Sequence, residues 1–193
     1  MSKNTKLLII ILVLIILVVG GIIFISKINK PEKSTPTIVN EVKTGSSDLL
    51  NLIEKNQKNL QLIKEKYNQR QLKESLDIAI VISNDIPKIS DELLKLSDQV
   101  KQLLTNNDSL TSEKKAIILQ LAQYQINSLN NLKDYCTYAD LLKQGIAAEY
   151  EAELDKKGID LNINPSGLIQ EMENNLILAK QNLTEADKIM ADL

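Results

Sequence analysis

Nineteen consecutive residues, Leu7 to Ile25 (LLIIILVLIILVVGGIIFI), carry no polar side chain, and no other feature restricts this chain's architecture as strongly. At 1.5 Å per residue a helix over that run measures roughly 28 Å, close to the ~30 Å hydrocarbon thickness of a bilayer. A helix is also the conformation in which a lone segment satisfies all its own backbone polar groups inside lipid. The run therefore predicts a transmembrane anchor over 7–25, preceded by a short basic tail, 1–6. A cleavable signal has a shorter apolar region that ends at a small-x-small cleavage site. Here Gly20-Gly21 lead straight into Ile22-Ile23-Phe24, so an uncleaved anchor is expected.

The flanking charge gives little direction. Lys3 and Lys6 stand on one side, and Lys27, Lys30 and Lys33 on the other. A short basic tail running into an apolar stretch is nevertheless the layout of a signal anchor, and long C-terminal domains translocate largely regardless of flanking charge. The expected location is the cell membrane, single-pass, with the C-terminal domain outside the cytoplasm.

Beyond the anchor, residues 26–46 (SKINKPEKSTPTIVNEVKTGS) mix Pro, Ser, Thr, Lys and Glu. Such a composition predicts a flexible linker, because little apolar surface is available to offset the entropy of ordering it. From residue 47 the apolar residues recur every three or four positions, which is the period of a helix with one buried face. Gly (6) and Pro (4) are too few for the turns of an all-β fold, and aromatics make up only 3% of the chain. The expected fold class is all-α, an N-terminal transmembrane helix followed by an antiparallel four-helix bundle over 47–193. Four amphipathic helices joined by short loops bury their stripes most economically in that arrangement.

The four helices are predicted at about 47–67, 70–104, 112–156 and 166–192. The first carries Leu49, Ile53, Leu60, Ile63 and Tyr67, with Asn56 on the same seam. The second shows Leu72, Leu76, Ala79, Ile89, Leu93, Leu96, Val100 and Leu103, and is expected to kink at Pro87, which lacks an N–H. The step of five from Tyr67 to Leu72 breaks the register and places a turn at 66–71. The third has Thr111 as N-cap and the stripe Ile118, Ala122, Leu129, Leu132, Cys136, Ala139, Leu142, Ile146 and Tyr150. Gly145 is its weakest point, and Gly158 lies past its end. The fourth is the most regular, with Ile169, Met172, Leu176, Ala179, Leu183, Ala186, Met190 and Leu193 alternating steps of three and four.

Chemistry-bearing motifs are few. His is absent, which removes the usual general base and the commonest zinc ligand. Asp160-x-Asn162-x-Asn164 with Glu171 at the twelfth place has EF-hand spacing, but Pro165 stands where the loop needs a glycine. The expected reading is a helix cap by Asn164 or Ser166. Cys136 falls on a seam as a small buried side chain, and as the only cysteine it cannot form an intrachain disulfide. Glu149, Glu151, Glu153 and Asp155 read as a solvated face closed by Lys156-Lys157. Asn107-Asp-Ser and Asn182-Leu-Thr match the glycosylation sequon at a frequency expected by chance.

No catalytic, cofactor-binding or metal-ligating residue is expected, and no enzyme. Residues 47–193 hold seventeen basic and twenty-three acidic side chains, with Arg70 the single arginine, which argues against nucleic acid. The remaining partners are the lipid bilayer through 7–25 and a protein partner, or a second copy, through helical surfaces. The expected function is a membrane-anchored helical interaction or scaffold protein. The alternative is an extracytoplasmic ligand-binding sensor acting through a membrane partner, with Asn56, Gln125, Tyr124, Tyr135 and Tyr138 lining a pocket. In layout, a short tail, membrane helix and helical domain of similar length, the chain resembles the LemA family, and Ile86-Pro87 is similar to its Leu-Ile-Pro segment. The basic and aromatic residues that precede that segment in the family are missing here, so no residue role is carried over.

Overall fold

The computed structural model describes residues 34–105, 111–155 and 163–191. They form four helices: α1 (Thr35–Asn68), α2 (Leu72–Thr105), α3 (Ser112–Asp155) and α4 (Pro165–Met190). No strand occurs among the described residues. Each helix packs on its neighbour in sequence, and α4 closes the ring against α1. Side-chain bonds fix the directions. Lys64 reaches Glu173 and Lys180 reaches Glu54, so residue numbers rise along α1 as they fall along α4. Across the diagonal, Gln125 bonds Ser46 and Tyr135 bonds Asn56 at the same sequence offset of 79, so α1 and α3 run parallel. The arrangement is an up-down-up-down bundle whose core is one cluster of aliphatic side chains with a single fully buried aromatic, Tyr135.

The structure corrects the start of the first helix. It begins at Thr35, not near 47, so residues 35–46 are bundle and not linker. Ile38, Val42 and Gly45 step by four and three into Leu49, and all four are buried. The period was present but hidden by the Thr, Lys and Asn between its members. Pro36 sits in the first turn, where a missing N–H breaks no helical bond. Residues 26–33, the tail 1–6 and the anchor 7–25 lie outside the described residues, and the transmembrane helix with them. No described helix is long and apolar enough to cross a membrane.

The turn between α1 and α2 falls at Gln69–Arg70, inside the expected 66–71, although neither glycine nor proline marks it. Gln71 N–H donates to the Lys66 carbonyl (2.9 Å) and Arg70 N–H to the Tyr67 carbonyl (3.0 Å). This is the paired six-to-one and five-to-two bonding of a Schellman cap, with Arg70 at the left-handed position, φ 58°. Glycine usually takes that place; an L side chain there costs roughly 1–2 kcal/mol.

α2 runs unbroken from Leu72 to Thr105 through Pro87, which neither ends nor restarts it. The ring frees the Ser83 carbonyl from its helical donor. Ile82 and Ile86 before it and Ile89 and Leu93 after it are all buried, so packing on both flanks keeps the segment helical. α3 opens with Lys114 N–H 3.4 Å from Thr111 Oγ1, the expected cap. Gly145 is a crossing point. A Cβ there would stand 2.8 Å from Ile163 Cγ2 and 3.3 Å from Pro165 Cγ, so the chain entering α4 passes over α3 where a side chain is missing. In α4 every seam residue from Ile169 to Met190 is buried as the spacing predicts; Leu193 and Gly158 lie outside the described residues.

Candidate functional site

A gathering of polar side chains lies at mid-height between α1, α2 and α3. Lys55 Nζ donates to both carboxylate oxygens of Asp85, at 2.9 and 2.6 Å. Asp85 is 5% exposed while Lys55 is 50% exposed, so the pair joins a buried acid to a wet amine. One helical position away, Asn56 Nδ2 donates to the Leu52 carbonyl, and Asn56 Oδ1 accepts from the Tyr135 hydroxyl at 2.9 Å. Burial raises the Tyr135 phenol well above its ordinary pKa, and the charges of Cys136 and Asp85 push the same way. On the neighbouring face Lys143 Nζ stands 2.8 Å from Ser83 Oγ and 3.3 Å from Asp140 Oδ1, and Ser83 Oγ lies 3.3 Å from that same oxygen.

A serine and a lysine at 2.8 Å invite comparison with a nucleophile and its base. The comparison fails on geometry. A lysine serves as a base only after losing its proton, which isolation in an apolar pocket promotes. Lys143 is a third exposed and shares its contacts with a carboxylate. Ser83 is buried, and it does not line the groove between α1 and α2. What the arrangement does well is hold α3 to the turn of α2 whose Ser83 carbonyl Pro87 has freed.

A second cluster sits at the far end of α1. The Tyr67 hydroxyl donates to Glu149 Oε1 at 2.6 Å, and Arg70 Nη1 lies 3.8 Å from Glu149 Oε2. Desolvation, followed by the hydrogen bond to Glu149, pushes the Tyr67 phenol up to about 12. Glu149 thus leaves the solvated acidic face expected from sequence and fastens the α1–α2 turn to α3. Glu151, Glu153 and Asp155 remain exposed.

Cys136 occupies the core position expected of it, and burial with the nearby Asp140 charge pushes its thiol up to about 12. A thiol so placed is a poor nucleophile. Asn164 Oδ1 accepts the Gly167 N–H at 3.2 Å, so the residue that fits a calcium loop by spacing is a helix cap. Asp160 and Asn162 lie outside the described residues, as does Asn107. No group of three or more acidic or cysteine side chains that could hold a metal occurs among the described residues. Asn182 donates to the Leu178 carbonyl within the unbroken helix α4. Titrating millimolar calcium into the protein should leave its melting temperature unchanged; a rise of several degrees, abolished by Glu171→Gln, would make the α3–α4 loop a metal site.

The side chains expected to line a sensor pocket are packed into the bundle or against its core. Asn56, Gln125 and Tyr135 are fully buried, and Tyr124 and Tyr138 are half-buried against the core. A groove of about 470 Å³ lies between α1 and α2, floored by Gly45 and walled by Asp48, Glu92, Lys95 and Gln99. Its Lys95 is already bonded to Glu92 at 2.6 Å. Nothing in the spacing of the apolar residues announces this groove; the buried Gly45, which lets α1 and α2 approach, is the one sequence signal for it. Compared with protein families, curated proteins and solved structures, the chain matches none of them.

Proposed function

We propose that the chain is a single-pass membrane protein whose bundle stands outside the cytoplasm and serves as an interaction or scaffold module. The observation that carries the reading is the nineteen-residue apolar run, followed after only nine residues (26–34) by the first turn of a helix. Nine residues reach at most about 30 Å when extended, so the start of α1 stays close to the bilayer surface. The 34 residues of α1 then rise about 51 Å. The Arg70 turn lies at the far end of the rod, facing away from lipid. Leu62, Ile80, Val81, Leu141, Ile177 and Leu178 are large apolar side chains left exposed along the helices, and they are the contact points a protein partner or a second copy would use. Asn56, Tyr135, Ser46 and Gln125 are paired inside the core, which favours the bundle surface as the functional part, and we assign the chain no catalytic role. For a ligand-sensing role the α1–α2 groove offers an open site, whereas Asn56, Gln125 and Tyr135 are buried inside the core.

The lone, deeply buried Cys136 makes orientation easy to measure. Asn51 is exposed on α1, so Asn51→Cys introduces one accessible thiol beside one silent thiol. In intact cells a membrane-impermeant maleimide should label the Asn51→Cys protein and leave the parent unlabelled, and alkaline carbonate should leave both in the membrane fraction. Labelling only after lysis would reverse the orientation, and release by carbonate would remove the anchor.

A further inference from the structure

We infer that two buried polar pairs lock the axial register of α1 against α3, so that the bundle moves as one stiff rod and α1 does not slide within it. The inference goes beyond the proposed function and holds whatever surrounds residues 7–25. Ser46, Asn56, Gln125 and Tyr135 are each fully buried. They meet across the bundle diagonal, Gln125 Nε2 on Ser46 Oγ and Tyr135 Oη on Asn56 Oδ1, each at 2.9 Å. The two bonds share the offset of 79 and lie ten residues apart, roughly 15 Å along the axis.

The buried polar pairs separate this register from its neighbours more sharply than the apolar seams do. If α1 slid by one turn so that the offset became 83, Asn56 would face Ala139, Ser46 would face Leu129, Gln125 would face Val42 and Tyr135 would face Leu52. All four polar groups would then lie against apolar side chains in a dry core. A slip the other way, to 76, puts Asn56 against Leu132, Ser46 against Ala122 and Gln125 against Leu49, leaving only Tyr135 opposite a polar side chain, Asn59. In both slipped registers most other seam residues still meet apolar partners (Ile53 would face Cys136 at 83 and Leu129 at 76), although Leu60 would face Lys143 at 83 and Ile38 would face Lys114 at 76. The greater loss falls on the polar groups, which are expensive to bury without partners. A single buried polar pair sets register in coiled coils by the same discrimination. The two locks are unequal. Asn56 is bonded through both ends of its amide, whereas Gln125 Oε1 has no partner. The Asn56–Tyr135 pair is the stronger of the two. A signal carried along α1 as a sliding movement is closed off by this device.

The test uses the full chain purified in detergent, with spin labels on Asn51→Cys in α1 and Glu151→Cys in α3, both exposed and well separated along the axis. A one-turn slip displaces the labels by about 5.4 Å along the rod, which pulsed dipolar spectroscopy resolves. The parent should give one distance. The pair variant Asn56→Leu/Tyr135→Phe should add a second, displaced population. The quadruple variant with Ser46→Ala and Gln125→Leu should enlarge that population while keeping a cooperative melt. One unchanged distance in the pair and quadruple variants overturns the inference. Should the quadruple variant fail to fold, the pair variant decides by the same reading.

Discussion

Leu176→Asp should unfold the bundle. Leu176 sits at the middle of α4, fully buried, with Met172 and Ala179 on the turns before and after it. Leu176→Ala removes a packed isobutyl group and leaves a cavity, which should cost about 2–5 kcal/mol. An aspartate at the same place adds a carboxylate with no cation to meet it, and burying an unpaired charge costs more than a domain of this size has to lose. The control is one residue away. Ile177 is 46% exposed, so Ile177→Lys should change stability by less than about 0.5 kcal/mol. Chemical denaturation beside size-exclusion chromatography separates two roles for α4. A bundle wall loses its melt with Leu176→Asp and ignores Ile177→Lys. An arm reserved for a partner would keep its melt with Leu176→Asp and lose oligomers or partner capture instead.

α4 was also the element most legible in the sequence. Its seam alternates three and four without a slip, its cap is an Asn-Pro pair, and each stripe residue from Ile169 to Met190 is where the spacing placed it. α1 was read from Leu49 on and missed before it, because residues 35–46 look like linker by composition. Period is the better guide there, since a helix buries only about one residue in three or four and is indifferent to the polarity of the rest. At Pro87 the sequence predicts a kink, and the helix assignment runs through it without a break. A proline costs a helix one hydrogen bond and a steric clash, but α2 is buried on both sides of it, and tertiary packing outweighs the local cost. Gly145 looked like a flaw for the same reason. Local propensity counts the glycine as a loss, whereas the crossing of Ile163 over α3 requires it.

The polar interior was only half legible. Asn56 and Gln125 stood out as polar residues on apolar seams, and Tyr135 as an aromatic in a chain nearly without them. Their partners could not be read, because a diagonal contact depends on the relative height of two helices that are not neighbours in sequence. The Lys55–Asp85 pair was invisible for a simpler reason. Both residues look like ordinary surface charge until α1 and α2 are laid side by side, and only then does Asp85 prove to be buried.

The corrected start of α1 carries the other large effect. A fragment of residues 34–193 should melt in one sharp transition, and a fragment of residues 47–193 should melt at a lower temperature and over a broader range. The shorter fragment lacks Ile38 and Val42, both fully buried, and burying an aliphatic side chain of that size is worth about 1.5–3 kcal/mol. It also strips cover from the helices that pack on them. The Cβ position of Gly45 lies 3.7 Å from Leu96 Cδ1, so the first turns of α1 run beside the last turns of α2, where Val100 and Leu103 are buried. On the other flank Glu54 pairs with Lys180, which places Met190, at the end of α4, against the same missing turns. Gln125 loses Ser46 and is left with neither end of its amide bonded. Together these losses amount to roughly 5 kcal/mol or more, comparable with the whole stability of many domains. The melting temperature should fall by at least about 10 °C for a domain of this length, with the transition broadened. Amide exchange should be fastest at the C-terminal turns of α2 and α4 and should spare the Arg70 end. Two fragments melting within a degree of each other would return residues 35–46 to the role of a linker, and equal exchange along α2 would show that its last turns never depended on α1.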